Sequence, residues 1–138
     1  MLMPRKVKHR KMHRGGELKG NATRGTVVSF GSYGMKATTQ GRISARQIES
    51  ARRTITRYMQ RTGKYWIRIF PDHPMTKKGD ETPMGKGKGT VDHYVVKVRP
   101  GKVMFEVDGI DEETAREAFR LAGHKFGIRT KFVSKNNE

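Results

Sequence analysis

Arginines repeated along Ser44 to Arg61 are the side chains of this sequence with the clearest chemical use. At about 100° per residue, Arg46, Arg53 and Arg57 fall within about 40° of one another on a helix. The opposite side is apolar and consists of Ile48, Ala51, Ile55 and Met59. Solvated helix faces usually mix signs, whereas this segment holds Glu49 as its single acid. The pattern therefore predicts an amphipathic helix whose arginine face meets a polyanion.

Local signals predict the limits of that helix. Ser44 is expected to be the N-cap, and Gln47, three residues on, to complete a capping box. Gly63 is a natural stop at the other end. Arg42 joins the arginine face if the helix extends back to it.

Residues 1–25 form a strongly basic stretch with almost no apolar periodicity. Its basic side chains are Arg5, Lys6, Lys8, Arg10, Lys11, Arg14, Lys19 and Arg24, against one acid, Glu17. Such a stretch buries too little surface to order in water, and we expect an arm that orders against phosphates. His9 and His13 have the spacing of half a metal site. The sequence has neither a second such pair nor a cysteine, so no metal is expected.

A second candidate phosphate contact lies in the Pro- and Gly-rich stretch 71–90, for which no regular element is predicted. Its tip is a glycine–lysine repeat, formed by Met84, Gly85, Lys86, Gly87, Lys88 and Gly89. Glycine lets a backbone approach an anion closely and lysine adds charge, so contact with phosphate groups is expected. The spacing matches neither a Walker loop nor GxGxxG, and no nucleotide cofactor is predicted.

Catalytic chemistry is not indicated by the acid–imidazole neighbours Asp72–His73 and Asp92–His93. Adjacent strand residues point to opposite faces, so Asp92 is expected to orient His93 poorly. The other pair falls in the Pro-rich stretch, which would not fix its geometry. No nucleophile elbow, paired-carboxylate motif or metal-spaced cluster appears. We expect a protein that is not an enzyme and that uses no cofactor.

The remaining periodicities predict the elements that position these side chains. Strands are predicted over 26–33, 65–70, 91–99, 103–108 and 128–133, with alternating side chains at 65–70. The sequence RPGK at 99–102 suits a type II turn, which predicts a β-hairpin of the third and fourth strands. A second helix is predicted over 111–126, with Asp111 as N-cap. Its core stripe consists of Ala115, Ala118, Phe119, Ala122 and Phe126. Gly31 to Gly34 matches the GXXG pattern of KH domains, but it follows a strand instead of a helix.

The predicted fold class is α+β, with two helices packed on an antiparallel or mixed sheet. We expect a basic extension over 1–25, a single RNA-binding domain over 26–134 that includes the long loop 71–90, and a tail over 135–138. The chain has 138 residues and a net charge of +17. Residues 1–64 hold 16 basic and 2 acidic side chains, and residues 65–138 hold 14 and 11. Such asymmetry is typical of nucleic-acid or anionic-membrane partners.

No stretch of the sequence has the apolar length of a membrane span, and the start lacks the apolar run of a signal peptide. A cytoplasmic protein is therefore expected.

Eight blocks of this sequence, taken in order, form a recognisable pattern: MLMPRKVKHRKMHRG at 1–15, SFGSYGMKA at 29–37, GRISARQIESARR at 41–53, WIRIFPDHP at 66–74, MGKGKG at 84–89, PGKVMFEVDG at 100–109, AREAFRLA at 115–122 and KFV at 131–133. Together they resemble the bacterial and plastid form of the sixteenth large-subunit ribosomal protein. They cover nearly the whole chain without a large gap. Family members often carry an arginine before the Met of MGKGKG, hydroxylated in some, where this chain has Pro83. The resemblance does not carry that arginine's modification or RNA contact over to this chain.

The resemblance implies a structural protein of the large ribosomal subunit that joins late in assembly. It implies a basic arm threaded into 23S ribosomal RNA and contact with A-site tRNA, with P-site tRNA as a further candidate. It places the loop 84–89 close to the peptidyl-transferase region. Neighbouring large-subunit proteins are expected as partners, while a membrane or a homo-oligomer is not. The alternatives are a general nucleic-acid-coating basic protein and a phosphate-handling enzyme built on the glycine–lysine repeat.

Overall fold

Two antiparallel sheets and two helices make up the fold. The computed structural model describes residues 1–6, 20–77 and 90–136. In chain order the elements are β1 (Tyr33–Ala37), β2 (Gly41–Ser44), α1 (Ala45–Tyr58), β3 (Lys64–Ile67), β4 (His73–Lys77), β5 (Thr90–Val98), β6 (Val103–Asp108), α2 (Glu112–Gly123) and β7 (Thr130–Ser134). The strand order is β3-β6-β1-β7 in one sheet and β2-β5-β4 in the other. The strand pairs of both sheets are antiparallel, which confirms the predicted α+β class.

The core forms where both helices bury the faces that their periodicity predicts. On α1, Ile48, Ala51 and Ile55 are at most 1% exposed. The whole predicted stripe of α2 is buried as well. Phe119 of α2 contacts the ring of Phe132 on β7. Phe126, in the turn after α2, contacts the ring of Phe105 on β6. Helix α2 therefore covers the four-stranded sheet. Helix α1 packs against α2 and against β2 and β5 of the three-stranded sheet. Since the core uses only one side of α1, the other side remains available for a partner.

Strand β6 is the most deeply buried strand, because it lies between β3 and β1 in the centre of its sheet. Its residues Val103 to Val107 are 0% exposed. One of them, Glu106, is charged. Among the residues that the structure describes, it is the only charged residue that is buried. A fully buried carboxylate requires hydrogen-bond partners, and these are given below.

The predicted hairpin of β5 and β6 is wrong, although the turn between them forms. The Lys102 N–H donates to the Arg99 carbonyl at 3.3 Å, and Gly101 has a φ of +99°. The two strands then diverge, because β5 pairs with β2 and β4 while β6 pairs with β1 and β3. Turn chemistry specifies a local chain reversal, but burial decides the pairing. A strand that is apolar on both faces is stabilised most by two flanking strands.

Two further secondary-structure predictions are corrected. The strand predicted over 26–33 begins instead at Tyr33, because residues 29–31 direct their N–H groups to the carboxylate of Glu106 and not to a strand. The GXXG match therefore runs into β1 and does not join two helices. Within 71–90, where no element was predicted, β4 forms at His73–Lys77. It is an edge strand, the position at which a sheet tolerates Pro74.

None of the helices in the described parts of the chain is long and apolar enough to cross a membrane.

Candidate nucleic-acid interface

Helix α1 is held at its first turn by the predicted capping box. The Gln47 N–H donates to Ser44 Oγ at 3.2 Å, and the Ser44 N–H donates to Gln47 Oε1 at 2.9 Å. Arg46 lies in this first turn, where the helix dipole favours an anion and disfavours a cation. The first turn holds no acidic residue. The start of α1 therefore combines a rigid backbone with an exposed guanidinium that an anionic partner would stabilise.

The predicted arginine face is solvent-exposed. Arg46, Arg53 and Arg57 are exposed on the side of α1 that faces away from the core. Arg42 does not join them, because α1 begins only after Ser44. It lies on β2 instead, directly opposite Lys97 of β5.

Glu49 pairs with two of the helix arginines. Its carboxylate accepts from Arg52 Nε at 3.1 Å and from Arg53 Nε at 3.3 Å. The hydrogen bond from Arg52 lowers the pKa of Glu49 to about 2, against the opposing effect of burial and with help from both guanidinium charges. Glu followed by Arg at i+3 and i+4 is a pairing signal in the sequence, which the prediction of a one-signed helix face left out. Within the described residues, no carboxylate lies within ion-pair distance of Arg46 or Arg57.

The end of α1 adds a basic residue that the predicted arginine face did not include, although Arg61 lay within the predicted helix. Gln60 and Arg61 have φ values of 54° and 65°, a left-handed conformation that costs free energy for residues other than glycine. This turn brings Arg61 to a shallow depression of about 430 Å³ that is also lined by Arg53 and Arg57. Several guanidinium groups around one depression make a site for phosphate oxygens. Helix periodicity could not reveal it, since Arg61 follows the helix.

The predicted arm and loop are described only in part. Arg5 and Lys6 are exposed, and Leu2 packs against the core near the start of α1. Arg24 is exposed and lies beside Arg68 and Arg99. The other predicted arm residues, Lys8, Arg10, Lys11 and Arg14, lie outside the described residues. So does the whole loop formed by Met84, Gly85, Lys86, Gly87, Lys88 and Gly89.

The expectation that Asp92 would not reach His93 is wrong. His93 Nδ1 lies 2.7 Å from Asp92 Oδ2. The register of β5 against β4 shifts between Met75 and Thr76, so Asp92 is the extra residue of a bulge, where neighbouring side chains lose strict alternation. Both side chains are more than 40% exposed, and the pair lines a concave surface together with residues 1–3 and the start of α1. Among the described residues, no three His, Asp or Glu side chains are arranged to hold a metal ion.

Comparison with known proteins agrees with this arrangement. The sequence model of the family described as "Ribosomal protein L16p/L10e" matches residues 4–133. The protein named "Large ribosomal subunit protein uL16" of Xanthomonas oryzae pv. oryzae strain PXO99A is 54% identical over 135 residues, which is 98% of each chain. The proteins of the same name from Xanthomonas euvesicatoria pv. vesicatoria strain 85-10 and Xanthomonas axonopodis pv. citri strain 306 have the same identity and coverage.

These matches span nearly the whole chain, which confirms the resemblance drawn from the sequence blocks and the expectation of a non-enzymatic protein. They also agree with the fold and the one-signed helix face. The chain belongs to the L16p/L10e family of ribosomal proteins.

Proposed function

We propose that this protein is a structural constituent of the large ribosomal subunit that binds 23S ribosomal RNA near the peptidyl-transferase region. The observation that supports this most strongly is family membership over residues 4–133, joined to a helix face on which Arg46, Arg53 and Arg57 are exposed. The similar proteins from Xanthomonas carry the name of a large-subunit ribosomal protein. Phosphate contacts position a protein without reading sequence, so the RNA's shape supplies the specificity.

The finer assignments are part of the same proposal. The arm over 1–25 follows ribosomal RNA phosphates, as its dense positive charge favours. The loop 84–89 meets A-site tRNA, with P-site tRNA as a second candidate, and Lys86 and Lys88 supply its charge. The domain over 26–134 contacts neighbouring large-subunit proteins and works in the cytoplasm as a single copy. The arginine face provides a rigid surface for the RNA, because the other side of α1 is locked in the core.

Sedimentation tests the subunit assignment. A tagged copy of the protein is followed across a sucrose gradient of cell extract, with a moderate salt wash. Co-migration with large subunits and whole ribosomes is the expected result. Protein that remains at the top of the gradient, or that spreads with bulk nucleic acid, would contradict the proposal.

A charge-matched pair of triple variants tests the arginine face. We expect Arg46→Gln/Arg53→Gln/Arg57→Gln to fold normally and to lower the slope of log affinity against log salt by about 3, since each phosphate contact contributes about one. The control removes three exposed cations on or just after α2. On this helix surface arginines alternate with glutamates and form ion pairs with them. The control comprises Arg116→Gln, Arg120→Gln and Lys125→Gln. Equal losses in both variants would favour the general coating protein, as would equal affinity for random duplex DNA and large-subunit RNA.

The tRNA assignment is tested separately. Replacing Lys86 and Lys88 by alanine is expected to slow tRNA accommodation more than subunit assembly. Lys131→Ala/Lys135→Ala, which removes two exposed lysines in and after β7, is the control. Normal translation together with a defective assembly profile would contradict a tRNA contact. Nucleotide turnover that is lost on mutating Lys86 would instead favour the enzyme alternative.

A further inference from the structure

A second basic surface lies at the junction of the two sheets, away from the arginine face. It is a groove of about 430 Å³, which is the size of a small-ligand pocket. Five cations line it, namely Arg24, Arg68, Lys97, Arg99 and Lys102, together with one acid, Asp72. We call this surface the basic groove. It shares no lining residue with the depression at the end of α1.

The cations of the basic groove are held close together by the fold. Lys102 is half-buried, and the Cβ of an alanine in place of Gly25 would lie 2.3 Å from its Nζ, so the ammonium group rests against the Gly25 backbone. Burial lowers the pKa of Lys102, and the nearby charge of Arg68 lowers it further. Lys102 therefore keeps its positive charge in a partly desolvated position, which an entering anion would stabilise.

Exposed aromatic rings adjoin these cations. Phe70 lines the groove and is 45% exposed. Phe30, which contacts the groove residue Arg68, is 60% exposed. The guanidinium carbon of Arg68 lies 5.1 Å from the centroid of the Phe30 ring, so the same arginine borders the groove and supports the ring. Trp66 stacks against Phe30 at a centroid distance of 6.2 Å. Phe30 and Phe70 are thus exposed rings, one in contact with a groove cation and the other part of the groove lining.

The position of Phe30 is determined from the protein interior. Oε1 of Glu106 accepts hydrogen bonds from the N–H groups of Phe30 at 2.7 Å and Gly31 at 2.8 Å. Oε2 accepts from Arg68 Nη1 at 2.6 Å. The backbone of Phe30 and the guanidinium beneath its ring are therefore fixed by a single fully buried carboxylate. A preorganised aromatic surface loses little entropy when a flat ligand stacks on it.

From this juxtaposition we propose that the basic groove binds an unpaired nucleotide of ribosomal RNA. Its phosphates lie among the groove cations, and its base stacks on Phe30 or Phe70. Positively charged grooves with adjacent aromatic rings are the form that proteins use for single strands, because the faces of unstacked bases are free to stack. Duplex RNA satisfies the cations but offers no base face. The inference rests on the proposed function, since it names the class of RNA element that this part of the protein takes.

The test compares single-stranded and duplex RNA with the full chain. The probes are a labelled oligouridylate of about 12 nucleotides and an RNA duplex of equal length, followed by fluorescence anisotropy. Phe30→Leu/Phe70→Leu keeps apolar bulk and removes both aromatic faces. We expect it to weaken oligouridylate binding by about tenfold, within the range of one stacked base, and to change duplex binding by less than about twofold.

The control variant is Tyr58→Leu/Tyr65→Leu, which removes two exposed aromatic rings outside the groove. It should leave the preference for the single strand unchanged. Lys97→Gln/Arg99→Gln should reduce the salt dependence for both probes by about 2, since each phosphate contact contributes about one. Equal losses in both aromatic variants, or equal losses for both probes, would overturn the assignment.

A crosslinking measurement on the unmodified chain keeps the proposal testable if a variant fails to fold. An oligouridylate that contains 4-thiouridine is photo-crosslinked and the attached peptides are identified. Crosslinks on the peptides that contain Phe30 or Phe70 are expected, and crosslinks confined to α1 would overturn the proposal. Neither experiment needs a ribosome. Protein that enters large subunits but shows no preference for the single strand would refute the groove alone, whereas absence from subunits would refute the proposed function.

Discussion

The buried carboxylate of Glu106 supports a prediction that can be worked out from distances. It is 0% exposed and accepts three backbone N–H groups at 2.7–3.1 Å and the Arg68 guanidinium at 2.6 Å. Burial by itself raises the pKa of Glu106. The N–H groups of residues 29–31 and the guanidinium outweigh it, and the pKa of Glu106 lies below the ordinary value. The ionised form is thus the one that the folded protein stabilises.

Glu106→Gln keeps the shape of the side chain and removes its charge. The remaining amide oxygen can still accept from the backbone, but an NH2 group now faces Arg68. A hydrogen bond to a charged group contributes about 1.5–3 kcal/mol, and removal of one partner from a buried ion pair costs about 3–5 kcal/mol. Arg68 retains the Val27 carbonyl at 2.7 Å and is 16% exposed. We therefore expect the lower end, a loss of about 3 kcal/mol in the free energy of unfolding.

Urea unfolding at neutral pH measures this loss. Trp66 is the one tryptophan of the chain and contacts Phe30, so its fluorescence reports the region that Glu106 holds, while circular dichroism reports the helices. Coincident transitions justify a two-state free energy. In thermal melts the same loss lowers Tm by about 10 °C, at about 3–5 °C per kcal/mol for a chain of this size. Glu117→Gln, which removes the same charge from an exposed pair with Arg120, should change little.

The pH dependence supplies an independent check with a definite sign. A carboxyl whose folded pKa is depressed stabilises the protein fully above its unfolded pKa and loses that contribution as pH falls through the folded value. The difference between the original chain and Glu106→Gln should therefore stay constant at neutral pH and shrink below the ordinary glutamate value of 4.5. A variant as stable as the original chain, or a difference that does not change in acid, would refute the reasoning.

Three other substitutions test separate parts of the structure. Ser44→Ala removes the capping box and should cost about 1 kcal/mol in thermal melts, whereas Ser50→Ala on the exposed side of the same helix should cost little. Gly31→Ala places a Cβ 2.4 Å from a backbone carbonyl of β6 and should cost about 1–3 kcal/mol, while Gly127→Ala, with nothing within 4 Å, is the control. Glu49→Gln frees two neighbouring arginines and should strengthen RNA binding and steepen its salt dependence by about one. Weaker binding in a filter assay would show that the carboxylate orients the arginines instead of neutralising them.

The parts of the interface that could be predicted are those specified by short sequence distances. The burial of one side of α1 and the exposure of the other follow from helical periodicity, and the capping box follows from Ser44 and Gln47 alone. Such patterns depend on residues three or four positions apart, so no knowledge of the sheet is needed. The stripe of α2 was found for the same reason. Interactions between residues that are close in sequence can therefore be predicted from the order of residues alone.

The basic groove could not be predicted, because its parts are distant in sequence. Arg24, Arg68 and Lys102 meet only after β5 and β6 have separated into different sheets. A hairpin of these two strands, which the turn residues favour, would have led to a different surface. In the structure Trp66 contacts Phe30, and the more exposed ring belongs to Phe30.

Glu106 shows how far a single residue can be interpreted without the structure. A single acid inside the apolar run VMFEV implies a buried carboxylate that must find donors, but the run does not say which donors. The structure supplies them from two distant segments, the N–H groups of residues 29–31 and the guanidinium of Arg68. The same carboxylate thereby orients an exposed aromatic ring and a groove cation. A loss of stability on changing Glu106 should therefore be accompanied by a loss of preference for single-stranded RNA, since both depend on the same four hydrogen bonds.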